Sequence, residues 1–385
     1  MMRVSTTERI LVTVPLAVHG GGVSAFWETV VPNLTQSVRV VRVGKRADSD
    51  WLLARVLRSL RITLLICWRA RPSRTSLVVL NPSLDGKSLL RDGLTLVVLR
   101  LLRRPTFVFF HGWDLEAQAR IEHRFRRPFT AVFGRADCLA VLSSSFRVSL
   151  RHWGCRCPIT VVTTVAPFPD SPSPPAASRV GNSQKSMKIL FMARLVTAKG
   201  LEQSIRAVAL LRETRPDVQM VVAGEGPARS GAEELSRRLG LVGVDFVGNV
   251  SGDEKSRLLS GSEVFLLPSE HGEGMPVSVL EAMSYGLVVL ATPVGGLADF
   301  LVDGRNCLLL HSGSPEEIAA KLDLLYRDAS LRGSLGESAR RQAARAFLPD
   351  VVARRMSRLL SDTVHAVQPH EYSWLDDAHI NREYE

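Results

Sequence analysis

The chain has 385 residues, 45% of them apolar and 6% aromatic, and a formal net charge of +11. That length suits two domains rather than one, and no apolar run reaches the roughly 18 residues that span a bilayer. Residues 1–170 carry 25 Lys and Arg against 11 Asp and Glu, while the other 215 carry 24 against 27; the first half therefore favours an anionic partner, and without interleaved aromatics it offers no platform for single-stranded nucleic acid.

At the N-terminus, Arg9 followed by Ile10–Val18 loosely imitates a secretory leader, but Glu8 breaks the charge pattern. The segment reads instead as a buried strand, Ile10–Val14, entering the glycine loop Gly20-Gly21-Gly22. Further strand-like runs follow at Val38–Val43, Leu77–Leu80, Thr106–Phe110, Cys138–Leu142 and Thr160–Val162. Between them lie basic clusters at Arg55/Arg58/Arg61, Arg69/Arg71/Arg74, Arg100/Arg103/Arg104 and Arg120/Arg124/Arg126/Arg127. These suit either a solvated basic surface or docking on an anionic membrane. His111 closes the run Thr106–Phe110 and precedes Gly112, a strand-end position where an imidazole can reach a substrate. Cys67, Cys138, Cys155, Cys157 and Cys307 lack the spacing of a zinc site and read as reduced thiols.

The stretch Pro167–Met187, rich in Pro, Ser and Ala, reads as a linker. Beyond it come strand-like runs at Lys188–Phe191, Val218–Val222, Val244–Val247, Val264–Leu267, Val288–Ala291 and Cys307–Leu309. Strands alternating with helical patterns indicate parallel sheets with crossover helices. The expected fold is α/β, with two Rossmann-like doubly wound domains facing a cleft. The expected division is 1–167, a linker at 168–187, 188–345, a C-terminal helix at 346–367 that could return to the first domain, and a polar tail at 368–385.

The second half supplies the chemistry. Arg194 and Lys199 share one strand-to-helix loop, where two cations could neutralise a diphosphate. A lysine at a helix start opposes the dipole, which favours a ligand-derived reason for it. Gly224-Glu225-Gly226-Pro227 follows the next strand, its glycines allowing a sharp turn and close approach to a ligand. Gly248-Asn249-Val250 and Gly295-Gly296 follow two more. Glu273 and Glu281 are eight residues apart, the first in a Gly-rich turn and the second about two turns into the helix after it. Near a helix N-terminus that accepts an anion, two carboxylates could hold the hydroxyls of a sugar nucleotide. The blander alternative makes Glu273 a helix cap and Glu281 a solvated helix residue.

Two other motifs fail. His19-Gly20-Gly21-Gly22 copies the oxyanion string of lipases, but the chain has no Gly-x-Ser-x-Gly elbow. Gly86-Lys87-Ser88 imitates the end of a phosphate loop, but the earlier glycine that loop requires is Asn81.

In combination, Ala193-Arg194-x4-Lys199-Gly200, Gly224-Glu225-Gly226-Pro227, Phe246-x-Gly248, Pro268-Ser269, Glu273-x7-Glu281-Ala282-Met283, Gly286 and Gly295-Gly296 resemble the GT-B glycosyltransferases of family 4. The likeness is dense over 188–310 and looser before it, through Gly20–Gly22 and Phe110-His111-Gly112-Trp113-Asp114. It implies retaining transfer of a sugar from a nucleoside diphosphate donor, with no metal and no cofactor. By resemblance, Arg194 and Lys199 bind the diphosphate, Glu281 the ribose and Glu273 the donor sugar. Gly224, Glu225, Val250 and the backbone at Met275, Pro276 and Val277 line the donor, Gly20, Gly21 and Gly22 approach its phosphates, and His111 sits by the reacting sugar. Met275-Pro276 replaces a Phe-Gly pair common in the family and is similar to polysaccharide-assembly members. Ala193 stands for a usual glycine, and Thr163-Thr164-Val165-Ala166 for an Asn-Gly-Val-Asp-like turn.

The expectation is thus a glycosyltransferase acting on a glycan or lipid-linked acceptor, in the cytoplasm or peripheral at the inner membrane face, with no nucleic-acid partner. A catalytically silent nucleotide-sugar binder, or an epimerase or phosphorylase on the same fold, are the alternatives.

Overall fold

The structure is a computed structural model and describes residues 8–16, 22–43, 52–166, 187–270 and 274–365. Gly20, Gly21, Glu273, residues 168–186 of the expected linker and the expected 368–385 tail lie outside the described residues. The described residues of Met1–Val165, Gly272–Met275 and Pro349–Glu385 form one compact unit, and those of Ala166–His271 and Pro276–Leu348 form a second.

The first unit runs β1 (Arg9–Pro15), α1 (Gly22–Val30), β2 (Ser37–Val43), α2 (Leu52–Arg69), β3 (Leu77–Leu80), β4 (Ser83–Leu84), α3 (Gly86–Leu101), β5 (Thr106–Phe110), β6 (Gly112–Trp113), α4 (Leu115–Arg120), α5 (Arg126–Phe133), β7 (Cys138–Val141), α6 (Ser144–Trp153) and β8 (Ile159–Val161). Its main sheet has the order β2-β1-β3-β5-β7-β8, with every neighbouring pair parallel. β3, β5 and β7 are buried at every residue. This is why their sequences are continuous apolar runs: a parallel sheet is covered on both faces. Between α4 and α5 the chain makes a π-helical turn, Ile121–Phe125. Pro128, third in α5, has no N–H, and in an unbroken α-helix its ring would clash with the carbonyl four residues back, at Arg124; the widened turn next to it accommodates that break.

The second unit runs β9 (Lys188–Met192), α7 (Leu201–Arg212), β10 (Gln219–Ala223), α8 (Arg229–Arg238), β11 (Val244–Gly248), α9 (Gly252–Ser260), β12 (Val264–Leu267), α10 (Val277–Ser284), β13 (Val288–Ala291), β14 (Leu308–Leu309), α11 (Pro315–Arg327) and α12 (Ala329–Ala346). Its parallel sheet has the order β11-β10-β9-β12-β13-β14. The strand order reverses between β9 and β12, which pair at Ile189 and Val264. Ligands of open α/β sheets bind beyond the strand ends at such a reversal. α7 buries Leu201, Ile205, Val208 and Leu211, the apolar stripe of its sequence. β14 is shorter than the run Cys307–Leu309, because Cys307 forms an isolated bridge with Asp303.

A final helix, α13 (Pro349–Val364), belongs to the first unit. It buries Val352, Ala353, Met356, Leu359 and Leu360, packing on α1, β3 and β5. Hydrogen bonds fix its polar edge: Thr35 N–H donates to Ser357 Oγ at 3.1 Å, the Gln36 amide to the Ser357 carbonyl at 2.8 Å, and the Ser361 hydroxyl to Glu8 at 2.7 Å. All five thiols are free, and burial pushes Cys138 and Cys157 up to about 12, so both stay protonated. Among the described residues, no helix is long and apolar enough to cross a membrane.

Candidate functional site

In the second unit the candidate residues gather at the strand ends beside the β9/β12 reversal. After β9 the chain passes Ala193-Arg194-Leu195 and makes a 3-10 turn, Thr197–Lys199. Gly200 then caps α7 with φ 72°. Lys199 therefore lies ahead of the α7 cap, at the end of the preceding turn, and not in the first turn of the helix. Burial, then the neighbouring charge of Arg194, push the Lys199 amine down to about 8. Arg194 itself is exposed.

The glycines around this loop serve backbone packing. A Cβ on Gly224 would stand 1.9 Å from the Ala193 carbonyl oxygen, and one on Gly226 would stand 2.3 Å from that of Leu195. Their φ values, 134° and 157°, belong to glycine as well. In their place sits a short backbone ladder: Leu195 N–H to the Glu225 carbonyl at 2.9 Å, and Ala228 N–H to the Leu195 carbonyl at 2.9 Å. These glycines bring their backbone against the Arg194 loop, which it holds in shape. Gly200 does the same toward β12, where a Cβ would meet the Pro268 carbonyl oxygen at 2.3 Å.

Three strand-end loops are joined across this edge. The Ala198 carbonyl accepts from Glu270 N–H at 2.9 Å and from the Ser269 hydroxyl at 3.2 Å. The Ser269 carbonyl in turn accepts from the Thr292 hydroxyl. The segments after β9, β12 and β13 therefore form one connected rim.

Glu281 is buried, and its Oε1 accepts from Lys255 Nζ of α9 at 2.7 Å. The solvated alternative is thereby excluded. α10 begins at Val277, with Pro276 as N-cap and no side-chain cap bond, so Glu281 lies in the second turn, nearer the start than the sequence suggested. The first amides of α10, at Val277 and Ser278, precede the Val279 N–H, which bonds the Pro276 carbonyl at 3.1 Å. Glu225 lies at the exposed edge, its carboxylate engaged by Arg229, which also bonds Glu233 at 2.8 Å. Val250 is half-buried just ahead of α9.

In the first unit His111 follows β5. Its Nε2 lies 3.0 Å from Oδ1 of Asn81, which follows β3. The same oxygen accepts the Trp27 indole N–H at 3.0 Å, and the Asn81 amide donates to the Thr13 carbonyl at 2.6 Å. An indole N–H only donates and a carbonyl only accepts, so the orientation of the Asn81 amide is fixed. His111 Nε2 must then carry the proton. Its ring packs against Phe109 and Phe26 at centroid distances of 3.6 and 5.2 Å. Although the ring keeps a partly accessible edge, burial pushes its imidazolium down to about 3. His111 is thus a neutral imidazole with its lone pair on Nδ1. Gly274 lies against it: a Cβ there would meet the His111 carbonyl oxygen at 2.2 Å. Met275 is buried, and its sulfur accepts from the Thr163 hydroxyl at 3.5 Å. Gly22 opens α1, with open space where a Cβ would be.

Lys255, Asn81 and Trp27 were not singled out from the sequence. Asn81 had surfaced only as the residue that spoils a phosphate loop; a polar residue closing the apolar run Leu77–Leu80 was the available signal. Lys255 carried none, being 26 residues from its partner. No three His, Cys, Asp or Glu among the described residues are grouped to hold a metal ion.

Residues 176–342 match the family model described as glycosyl transferases group 1. An uncharacterized glycosyltransferase of Methanocaldococcus jannaschii is 31% identical over 176 residues, 46% of this chain and 45% of that protein. The D-inositol 3-phosphate glycosyltransferase of an Arthrobacter species is 33% identical over 172 residues, 43% of this chain and 40% of that protein. The chain thus spans less than half the length of both relatives. Among solved structures, Anabaena HepE in complex with UDP and glucose superposes with a TM-score of 0.69 at 18% identity, over 91% of this chain and 99% of that one. The likeness establishes the fold, which is GT-B.

Proposed function

We propose that this chain is a retaining, metal-independent glycosyltransferase of GT-B family 4. It moves a sugar from a nucleoside diphosphate sugar to a glycan or lipid-linked acceptor at the cytoplasmic face of the membrane, in the assembly of a cell-surface polysaccharide. Residues 188–345 take the donor and residues 1–167 the acceptor. The observation that carries the reading is Lys199: a half-buried amine, lowered to about 8 beside Arg194, at the strand-order reversal. Two cations held that close repel each other, and a diphosphate between them would reverse the sign of that interaction.

In this reading the bond from the anomeric carbon to the diphosphate breaks with its electron pair leaving on the phosphate, and Arg194 and Lys199 stabilise the charge that develops there. The acceptor hydroxyl oxygen forms the new bond at the anomeric carbon, and its proton passes to the departing phosphate oxygen. Glu281, oriented by Lys255, takes the ribose hydroxyls, Glu273 takes the donor sugar, and the first amides of α10 face the phosphates. Gly20–Gly22 lets the backbone approach, and His111 faces the reacting sugar with an unprotonated Nδ1. UDP bound to HepE supports uridine as the base to test first.

The experiment is donor turnover after a thermal-shift screen of nucleoside diphosphate sugars, since a bound ligand stabilises the fold. Lys199→Ala is expected to lower turnover by about a hundredfold or more. Near-normal turnover in that variant removes the role given to Lys199. A donor that binds yet is neither transferred nor hydrolysed identifies a silent binder.

A further inference from the structure

The first unit carries a surface that the transfer chemistry does not use. α3 turns Leu90, Leu94, Val97 and Leu101 outward, at i, i+4, i+7 and i+11, and Leu90 and Leu101 are each 78% exposed. Apolar residues at that spacing normally face a core. Leu90, Leu94 and Val97 instead line a pocket of about 660 Å³, closed opposite by Ile121, Phe125 and Phe133. Among its described lining residues only Arg120 is charged. The π-helical turn Ile121–Phe125 forms part of this wall, and such turns often mark functional sites.

The far side of α5 has the opposite chemistry. Arg126, Arg127, Arg135 and Arg156 line a second pocket of about 700 Å³ that has no acidic residue among its described lining residues. One eight-residue helix thus separates a hydrocarbon wall from a guanidinium wall. α2 extends the apolar side. Leu57, Leu60, Leu64 and Trp68 are exposed along it, Arg71 and Arg74 lie over the Trp68 ring, and a buried Thr63–Thr95 hydroxyl pair ties α2 to α3. A basic helix with Leu and Trp on its apolar face is built for a bilayer interface.

Charge selects the occupant. A second copy of a chain of net charge +11 would bring arginines against arginines. A nucleic acid has no use for the apolar pocket. An amphiphile with a hydrocarbon chain and a phosphate matches both walls. We propose that this face docks the protein on an anionic phospholipid bilayer, with the α3–α5 pocket receiving an acyl chain and the four arginines receiving phosphate headgroups. The inference does not depend on the transfer reaction.

Flotation of the full chain with vesicles tests it. Vesicles of phosphatidylcholine mixed with phosphatidylglycerol should bind about tenfold more protein than phosphatidylcholine alone, and the excess should vanish in high salt. The double variant Leu90→Asp/Val97→Asp should lose binding to both kinds of vesicle, and Arg127→Glu/Arg156→Glu should lose only the anionic excess. All four positions are exposed, so each variant should keep the wild-type Tm and its shift with UDP. A Phe125→Trp reporter should be quenched by brominated acyl chains. Equal binding to neutral and mixed vesicles, or unchanged binding in both double variants, overturns docking. Intact flotation without quenching removes the pocket, and a dimer dissociated by the same substitutions assigns the face to a second copy instead.

Discussion

His111 Nε2 donates to Asn81 Oδ1 at 3.0 Å, and that oxygen is held in place by the Trp27 indole at 3.0 Å. The tautomer of the strand-end histidine is thus set by a residue just beyond another strand and one on a helix. Long-range proton–nitrogen spectra should show His111 protonated at Nε2 and bare at Nδ1, with no titration near its ordinary value of 6.5. Its folded value lies below its unfolded one, so the unfolded state binds the extra proton, and stability should fall as pH drops from about 6.5 toward about 3. Asn81→Asp supplies a carboxylate partner and should move the His111 titration upward. An Nδ1–H signal in the wild type contradicts the assignment.

Lys199 gives a second pH signature. Its amine is lowered to about 8, so between about 8 and its ordinary 10.5 the unfolded state carries more protons, and stability should rise with pH across that window. Donor binding should run the other way, because a diphosphate needs the protonated amine. UDP affinity should weaken by up to about tenfold per pH unit above 8. Lys199→Arg, which keeps its charge, should abolish both trends. Calorimetric titration of UDP from pH 7 to 10 checks this, and a flat profile in the wild type counts against it.

The Lys255–Glu281 pair separates folding from binding. Glu281 is 8% exposed and Lys255 29%. Glu281→Ala leaves the amine partly buried without its carboxylate and should cost stability; the double change to Met and Leu should recover most of it, with a coupling of about 1–3 kcal/mol. Donor affinity should stay low in both variants. Recovery of UDP binding by the apolar pair would limit Glu281 to a structural part.

Two glycines predict opposite signs. Gly224→Ala places a Cβ on the Ala193 carbonyl at φ 134° and should lower stability by about 2–4 kcal/mol in urea denaturation. Gly231, in α8, has nothing within 4 Å of a built Cβ, and Gly231→Ala should raise stability by about 0.5–1 kcal/mol. A mild Gly224→Ala would mean that the Arg194 loop yields more easily than its hydrogen bonds suggest.

The fold was legible because its strands are buried on both faces. Runs such as Leu77–Leu80 and Val264–Leu267 carry no alternation and can be recognised from composition alone. The stripe of α7 was equally plain. The reason for Gly224 and Gly226 was not, because the sequence shows that the backbone comes close to something without showing that it is Ala193 and Leu195. Lys255 was invisible for a related reason: its meaning comes from Glu281 on another helix. Glu281 lies nearer the start of α10 than the expected two turns because Pro276, which lacks an N–H and holds a fixed φ, sets that boundary.

The seating of α13 against Glu8, Thr35 and Gln36 bears on how the molecule is made. On the ribosome, the first half emerges early but lacks Val352, Met356 and Leu360 until the second unit has been made. The intervening unit, contiguous apart from a few residues, can fold while synthesis continues. The order of completion is therefore reversed, and the earlier-made of these two units is the later to close.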